Sequence, residues 1–455
     1  MKAIGRLKVL LGILQQSHYD AALFRAWLAR HPRPADWDAF REKVAVDWTR
    51  KARVLFWTSV VISPLLPGAL RASMLLLAPF EWLAARWICM AAAGRLRRHR
   101  FRAVIGITGS FGKTTTKEIA AQILGQKFRV HKTPENVNTL LGVAQWIRRT
   151  QFQDGDVVIV EMGAYRRGDI AAMCRLVLPT VGILTGLNEA HRERFGSLEA
   201  TQAAKSELID ALPGGGIGLW NSDAKNLTHA VGERKKKWEE RGIRLIPYSR
   251  EGSGDWKISW QTEDEIKMRV EITQERGSVI GETMGLMGSH HCAPLGAALF
   301  LAGELGLLRE EIRSGIKKLH PLERRLHPLY VPGNRLLIDD SYNATLDGAA
   351  SALEALRGIK RRKIGVFAGI QEQGNESERI NRELGRRIAK EFDIILLGRT
   401  QVTDAVAQGL AETGFDKDRL IRYDSAKEVE EVLKRITQDG DCIYFSPYDR
   451  PAIYL

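Results

Sequence analysis

The chain has 455 residues, 44% hydrophobic and 27% charged, which is too long for one hydrophobic core and too apolar for a disordered chain. Its net charge is +14, but residues 1–100 hold 17 Lys and Arg against 6 Asp and Glu, so the remaining 355 residues carry only +3. Charge confined in this way argues against a nucleic-acid partner, whose enzymes spread basic residues over the catalytic surface, and points to an anionic membrane surface. The four cysteines, Cys89, Cys174, Cys292 and Cys442, form no C-x-x-C pair, so neither a zinc site nor a disulfide framework is indicated.

No small-residue cleavage site follows the short apolar run at the N-terminus, so no cleaved signal is read there. Leu14 to Arg30 reads as an amphipathic helix with Leu23, Phe24, Trp27 and Leu28 near one face, ended by His31-Pro32-Arg33-Pro34. Two apolar stretches follow. Val54 to Leu70 has no charge, and Ala72 to Gly94 contains Glu81 and Arg86. Each is borderline against the ~20 apolar residues of a spanning helix. Arg50, Lys51 and Arg53 precede the pair, and Arg95, Arg97, Arg98 and Arg100 follow it. These flanks predict a hairpin with both ends cytoplasmic, either lying in the inner face of the cell membrane or crossing it. Six of the eleven tryptophans fall within residues 1–100, among them Trp57, Trp82 and Trp87 of the two apolar stretches, as expected of side chains at a membrane interface. The alternative is a buried helical hairpin of a soluble domain.

Ala103 to Thr108 is a short apolar strand. It runs into Gly109-Ser110-Phe111-Gly112-Lys113-Thr114-Thr115-Thr116 and then a helix, Lys117 to Leu124. A strand, a glycine-rich turn and a helix start are the setting in which backbone N–H groups wrap phosphates. Gly109 and Gly112 permit the tight backbone, Lys113 reaches the terminal phosphates, and Thr114 can ligate Mg²⁺. The loop is one residue short of the general G-x-x-x-x-G-K-[ST] form. Asp156 to Val160 is a second buried strand, ending at Glu161, where a carboxylate beside a phosphate loop can hold Mg²⁺ directly or through water. Val181 to Thr185 reads as a third.

The shortened loop, Thr108 to Lys117, resembles the T-G-S-x-G-K-T-T-T-K of the Mur ligases, and the resemblance continues over residues 101–450. Glu161-Met162-Gly163, then Ala190-His191-Arg192-Glu193-Arg194-Phe195-Gly196-Ser197, then Ala204-Lys205-Ser206-Glu207-Leu208 are similar to the family's motifs in order and spacing. The resemblance implies magnesium at Glu161 and His191, and a Lys205 that reacts with CO₂ to give a carbamate able to hold a second metal and orient the acyl phosphate. It also implies nucleotide contacts from Gly109, Ser110, Gly112, Lys113, Thr114 and Thr115. Asn136 and Asn138 match a substrate loop, in which Glu135 and Thr139 replace the usual Gly and Asn. His290 matches a nucleotide-facing histidine, although His291 and Pro294 stand where the family has asparagines. Arg325 matches the hinge arginine that meets ATP phosphates, with Arg324 in place of a glycine. Asp339-Asp340-Ser341-Tyr342-Asn343-Ala344 is close to the family's D-D-S-Y-N-A, placing Asp340, Tyr342 and Asn343 at the ATP end of the cleft.

The expected fold is α/β. A central ATP-binding domain of P-loop type spans 101–318 and a Rossmann-like C-terminal domain spans 319–455, after a helical, hydrophobic region at 1–100. Residues 213–286 read as β-structure at the edge of the central domain, and Arg335–Asp339, Ile364–Gly369, Ile394–Gly398 and Cys442–Phe445 as strands of the last domain. The resemblance implies an ATP- and Mg²⁺-dependent ligase that forms an amide through an acyl phosphate. Lys113, Lys205, His191 and Arg325 carry the chemistry, and the branch that adds D-Ala-D-Ala to a muramoyl peptide is the nearest. Departures lie at Glu372-Gln373-Gly374, at Asn381 where a histidine is usual, and at Ser446 to Arg450, where the family has K-G-S-R. Because the resemblance implies that the last domain helps select the incoming amine, these departures leave the amine open to an amino acid or dipeptide, and with the usual UDP-binding domain not apparent the acceptor is open to a nucleotide- or lipid-linked peptide precursor. The other readings are a related ligase with a different substrate pair and a nucleotide-binding membrane scaffold without turnover.

Overall fold

The computed structural model describes residues 68–187, 197–274, 277, 279–342, 345–371, 373, 376–400 and 402–446, with side chains from residue 79. The expected helix Leu14–Arg30 and most of the first apolar stretch lie outside these residues. The second stretch lies within one helix, Gly68–Leu96, which runs through Pro79. Phe80, Trp82, Leu83, Trp87 and Met90 are exposed along it, and the Arg86 guanidinium lies 5.4 Å from the centre of the Trp82 ring. Among the described residues no helix is long and apolar enough to cross a membrane.

Ala91–Leu455 form one compact unit. Its first turn is fixed by buried Ala92 and Leu96, by Arg95 Nε donating to Thr150 O at 3.0 Å and by Arg100 N donating to Asp154 Oδ1 at 2.9 Å. Two sheets follow. The first contains β1 (Ala103–Thr108), β2 (Val130–Lys132), β3 (Val157–Glu161), β4 (Val181–Leu184), β5 (Ile217–Asn221), β6 (Arg244–Ser249), β7 (Gly252–Ser253), β8 (Trp256–Thr262), β9 (Met268–Gln274) and β10 (Val279–Met284). Its order is β10-β9-β8-β7-β6-β5-β4-β1-β3-β2. From β6 to β2 every neighbouring pair is parallel, and from β7 to β10 every pair is antiparallel. The sequence explains the change. β1 and β3 are apolar on both faces and buried throughout, as strands covered by helices on both sides must be. In β9, Met268, Val270 and Ile272 point inward while Glu271 is exposed, the alternation of a sheet with one wet face.

The second sheet has β11 (His327–Val331), β12 (Arg335–Asp339), β13 (Lys363–Phe367), β14 (Ile394–Gly398), β15 (Leu420–Tyr423) and β16 (Cys442–Phe445), in the order β11-β12-β16-β13-β14-β15. Only β11 runs against its neighbour. The expected strands at 364–369, 394–398 and 442–445 are therefore interior or near-interior strands of this sheet.

The stretch 213–286 holds β5 to β10 and also a helix, Lys225–Glu240. That helix buries only Leu227, Ala230, Val231 and Trp238, and its run of lysines and glutamates obscures the apolar face in the sequence. The helix Cys292–Leu305 is the opposite case. Every residue from Cys292 to Ala302 is buried, and it lies in the core between the helix Lys113–Leu124 and strands β6 to β8.

The registers position the site. Ile107 pairs with Glu161 and Thr108 with Leu184, so β1, β3 and β4 end together. Their C-terminal ends carry the phosphate loop, Glu161 and Thr185, the edge at which open parallel sheets bind ligands.

Candidate active site

The loop after β1 is shaped by its neighbours. Gly112 has φ 77°, a conformation that suits glycine, and it caps the helix Lys113–Leu124, which starts at the lysine itself. Ser110 N donates to Gly186 O at 2.8 Å, and Thr185 Oγ1 donates to Phe111 O, so the strand end after β4 holds the loop in place. Phe111 lies so close to Gly186 that a Cβ there would come within 2.3 Å of the ring. The loop therefore sits at a helix N-terminus, where N–H groups without helical partners favour an anion.

Side chains converge on it. Lys113 Nζ donates to Gly109 O at 2.7 Å. Burial pulls the Lys113 ammonium below its ordinary range, with Glu161 opposing and Arg325 assisting. Thr114 Oγ1 donates to Glu161 Oε2 at 3.0 Å, and Asn138 Nδ2 donates to Glu161 Oε1 at 3.3 Å. Burial pushes the Glu161 carboxyl up, but Lys117, Lys113 and the bonds from Asn138 and Thr114 outweigh it and leave it below the usual carboxylate range. Glu161 is thus a buried carboxylate held as an anion.

The C-terminal half of the chain reaches the same place. Arg325 Nη2 donates to Thr114 Oγ1 at 3.1 Å, and its guanidinium lies 3.8 Å from the centre of the Tyr342 ring. Tyr342 OH donates to Asn136 Oδ1 at 2.6 Å. Arg324, in place of the family's usual glycine, has φ 61°. Its guanidinium donates to Ser341 Oγ and Ser341 O, which offsets the strain of that backbone. Leu326 N donates to Asp340 Oδ1 and Tyr444 OH to Asp340 Oδ2, so Asp340 ties the hinge to β16. Burial raises the Asp340 carboxyl to about 7, against these bonds and the charge of Arg325.

Lys205 is buried on the helix Leu198–Asp210. Burial first, then the Lys113 charge, lowers its ammonium to about 7, with Asp169 and Glu207 pulling the other way. Glu207 accepts from Gly168 N at 2.7 Å and Ala171 N at 3.0 Å, which locks this helix to the start of the helix Asp169–Val177. His191 and Asn343 lie outside the described residues.

His290 belongs to a second cluster. Its ring lies 4.0 Å from that of His291, and Nδ1 is buried without a hydrogen-bond partner. Burial, His291 and Arg250 hold it well below the ordinary histidine range. His291 is turned inward, its Nδ1–H donating to Met287 O at 3.0 Å, and burial lowers it to about 4. Beside them Arg250 and Ser289, from the first sheet's domain, meet Glu354 of the helix Leu346–Leu356. Sequence reasoning passed over Arg250 and Glu354 because no short motif contains either. Asn381, at a position where a family histidine was expected, is fully buried. It accepts from Ile370 N and donates to Ile370 O and Ser377 O, all within 2.9 Å. Its amide is spent on the fold.

The donor set suits a nucleotide with magnesium. Hard oxygen donors from Thr114 and Glu161 meet at a phosphate-type loop, and hydrated Mg²⁺ takes one or two protein oxygens with phosphate completing its shell. A buried amine near neutrality also suits carbamate formation, which needs the unprotonated amine.

Residues 107–302 match the family model of the Mur ligase middle domain, and residues 324–448 that of the Mur ligase, glutamate ligase domain. The chain is 30% identical over 374 residues to the UDP-N-acetylmuramoyl-tripeptide–D-alanyl-D-alanine ligase of Synechocystis sp., covering 81% of this chain and 75% of that one. It is 29% identical over 361 residues to the Escherichia coli enzyme of the same name, covering 74% and 78%. Among solved structures, MurF from Thermotoga maritima in complex with ADP superposes with a TM-score of 0.68 at 24% identity, over 80% of each chain. MurF from Acinetobacter baumannii does so with 0.68 at 22%, over 80% and 77%. These two structural likenesses bear on the fold.

Proposed function

Because the chain belongs to the Mur ligase family, we propose that it is an ATP-dependent, ADP-forming ligase that joins D-Ala-D-Ala to a UDP-linked muramoyl tripeptide in peptidoglycan synthesis. One observation carries the chemistry. Lys113, Thr114, Asn138 and Glu161 from the first sheet's domain and Arg325 from the second meet around one loop.

In this reading the central domain runs over 101–318 and the C-terminal domain over 319–455. The loop amides of Gly109, Ser110, Gly112 and Thr115, with Lys113, hold the nucleotide phosphates. Thr114 and Glu161, joined by His191, would hold magnesium, which when bound would supply positive charge to the transferring phosphoryl group. The tripeptide carboxylate attacks that group, giving an acyl phosphate and ADP. The amine then displaces phosphate. Lys113 and Arg325 stabilise the phosphoryl charge. Asn136 and Asn138 face the acceptor, and His290, Asp340, Tyr342 and Asn343 line the nucleotide side. Lys205, as a carbamate, would present an anion in place of a cation and orient the acyl phosphate. The protein would work in the cytoplasm, with residues 1–100 resting on the inner membrane face. The basic excess there and the exposed Phe80, Trp82, Leu83 and Trp87 support that placement.

Phosphate release from ATP and Mg²⁺ is the direct test, with UDP-linked muramoyl tripeptide present and D-Ala-D-Ala added or withheld. Release that needs both, with a product of the matching mass, is expected. A protein that binds ATP but releases nothing with this pair would refute the substrate assignment. In that case a lipid-linked acceptor is the next to try. Flotation with anionic vesicles tests the membrane placement, and recovery of all the protein below the vesicles would remove it.

A further inference from the structure

Lys117 has no part in the scheme above. It lies one turn beyond Lys113 on the helix Lys113–Leu124 and is wholly buried. Its Nζ makes no hydrogen bond, but lies 3.3 Å from Glu161 Oε2 and 3.6 Å from Glu118 Oε1. Glu118 in turn pairs with Lys132. A buried ammonium is costly even when paired, and an apolar side chain would fill the same space at less cost. Its charge therefore calls for a use other than packing.

The surroundings supply one. Lys113, Lys117 and Arg325 all act on the neighbourhood of Glu161, which is the buried carboxylate at the loop. Its Oε2 is already shared between Thr114 and Lys117. Lys113, Lys117 and Arg325 face the single carboxylate of Glu161, while Glu118 is shared with Lys132, so positive charge exceeds negative charge there until a polyphosphate arrives. We propose that Lys117 makes this site refuse a free divalent cation, so that metal and nucleotide phosphates enter together. Lys117 is then a positioning residue. It holds Oε2 of Glu161 and sets the charge of the site without touching the reacting atoms. The idea rests on the loop being a nucleotide site.

The test is Mn²⁺ binding to the full chain, followed by electron paramagnetic resonance of free Mn²⁺, with and without ADP. Lys117→Met should bind free Mn²⁺ at least roughly tenfold more tightly than the unaltered chain, since a unit charge a few ångströms away at an effective dielectric near 20 opposes the ion. With saturating ADP the gain should shrink, because the phosphates then dominate. Lys117→Arg should behave like the unaltered chain, and Lys117→Met combined with Glu161→Gln should lose the gain. A damaged fold does not create an affinity, so tighter binding separates this role from a structural one. Should Lys117→Met fail to fold, Lys117→Gln, which keeps a polar contact to Glu161, carries the same expectation. Equal Mn²⁺ affinity of the unaltered and neutral variants without ADP would overturn the inference. Failure of ADP to bind any of the folded proteins with Mg²⁺ present would sink the nucleotide reading instead, and the ADP-free comparison would still decide the role of Lys117.

Discussion

Two turns open helices in the first domain, one after β1 and one after β10, and they treat their polar groups in opposite ways. At the first, Lys113 and Thr114 are spent on Gly109 O, Glu161 and Arg325, all around the rim where the parallel strands end. At the second, His291 bonds inward to Met287 O and Pro294 is buried in the core helix. The first turn matches the family pattern almost residue for residue, and the second departs from it at His291 and Pro294. A motif kept for chemistry leaves its polar groups at a cleft. A motif that has drifted has them sealed into the fold.

If the first turn is the chemical one, the largest loss comes there. Lys113→Ala should lower kcat by roughly 10²–10³ or more, the scale for removing one group that stabilises transition-state charge. Steady-state phosphate release measures it, and a variant keeping a tenth of the activity would break the contrast between the turns. Lys205→Ala comes next. Turnover should fall by about two orders of magnitude, on the same scale, while ADP binding is unchanged. The unaltered protein should also lose activity as pH falls through about 7, because the Lys205 amine is then protonated and cannot take up CO₂. Added bicarbonate should recover part of the loss near that pH. An activity indifferent to both pH and bicarbonate across this window would remove the carbamate.

Arg325→Ala should cost less, about tenfold to a hundredfold in kcat, since Lys113 and the loop amides remain. The thermal midpoint should change little. A fall in KM affinity alone, with kcat intact, would make Arg325 a binding residue and not one that acts on the transferring phosphoryl group.

The legible parts of the molecule were those where local pattern and function coincide. β1, β12, β14 and β16 appear at the residues expected because each carries a short apolar run, Ala103–Ile107, Leu336–Ile338, Ile394–Leu397 and Cys442–Phe445, that its sheet largely buries. The helix after the loop begins at Lys113, four residues earlier than its apolar pattern suggests, because Gly112 supplies the cap and polar threonines can occupy a first turn. The helix Lys225–Glu240 was hidden by its charge. The join between Arg325 and Thr114 could not be read at all from spacing, since the two are 211 residues apart. Asn381 shows the converse. Its mismatch with the family histidine suggested altered amine selection, yet its amide is wholly committed to Ile370 and Ser377.

The smallest effect sharpens the contrast from the second turn. His291→Asn restores the residue usual in the family, and a motif-based expectation is better nucleotide binding. The geometry gives the opposite order of effects. His291 is buried, neutral at working pH because burial lowers it to about 4, and its ring fills the space beside His290. Asparagine is smaller and cannot fill that space while keeping the bond to Met287 O. The variant should therefore lose about 1–3 kcal/mol of stability, the range for disturbing a buried hydrogen-bonded group. Denaturant unfolding would show this, and ADP titration should show no gain in affinity. A tighter ADP complex in a variant of unchanged stability would mean that position 291 can turn to the cleft and join His290 beside the nucleotide.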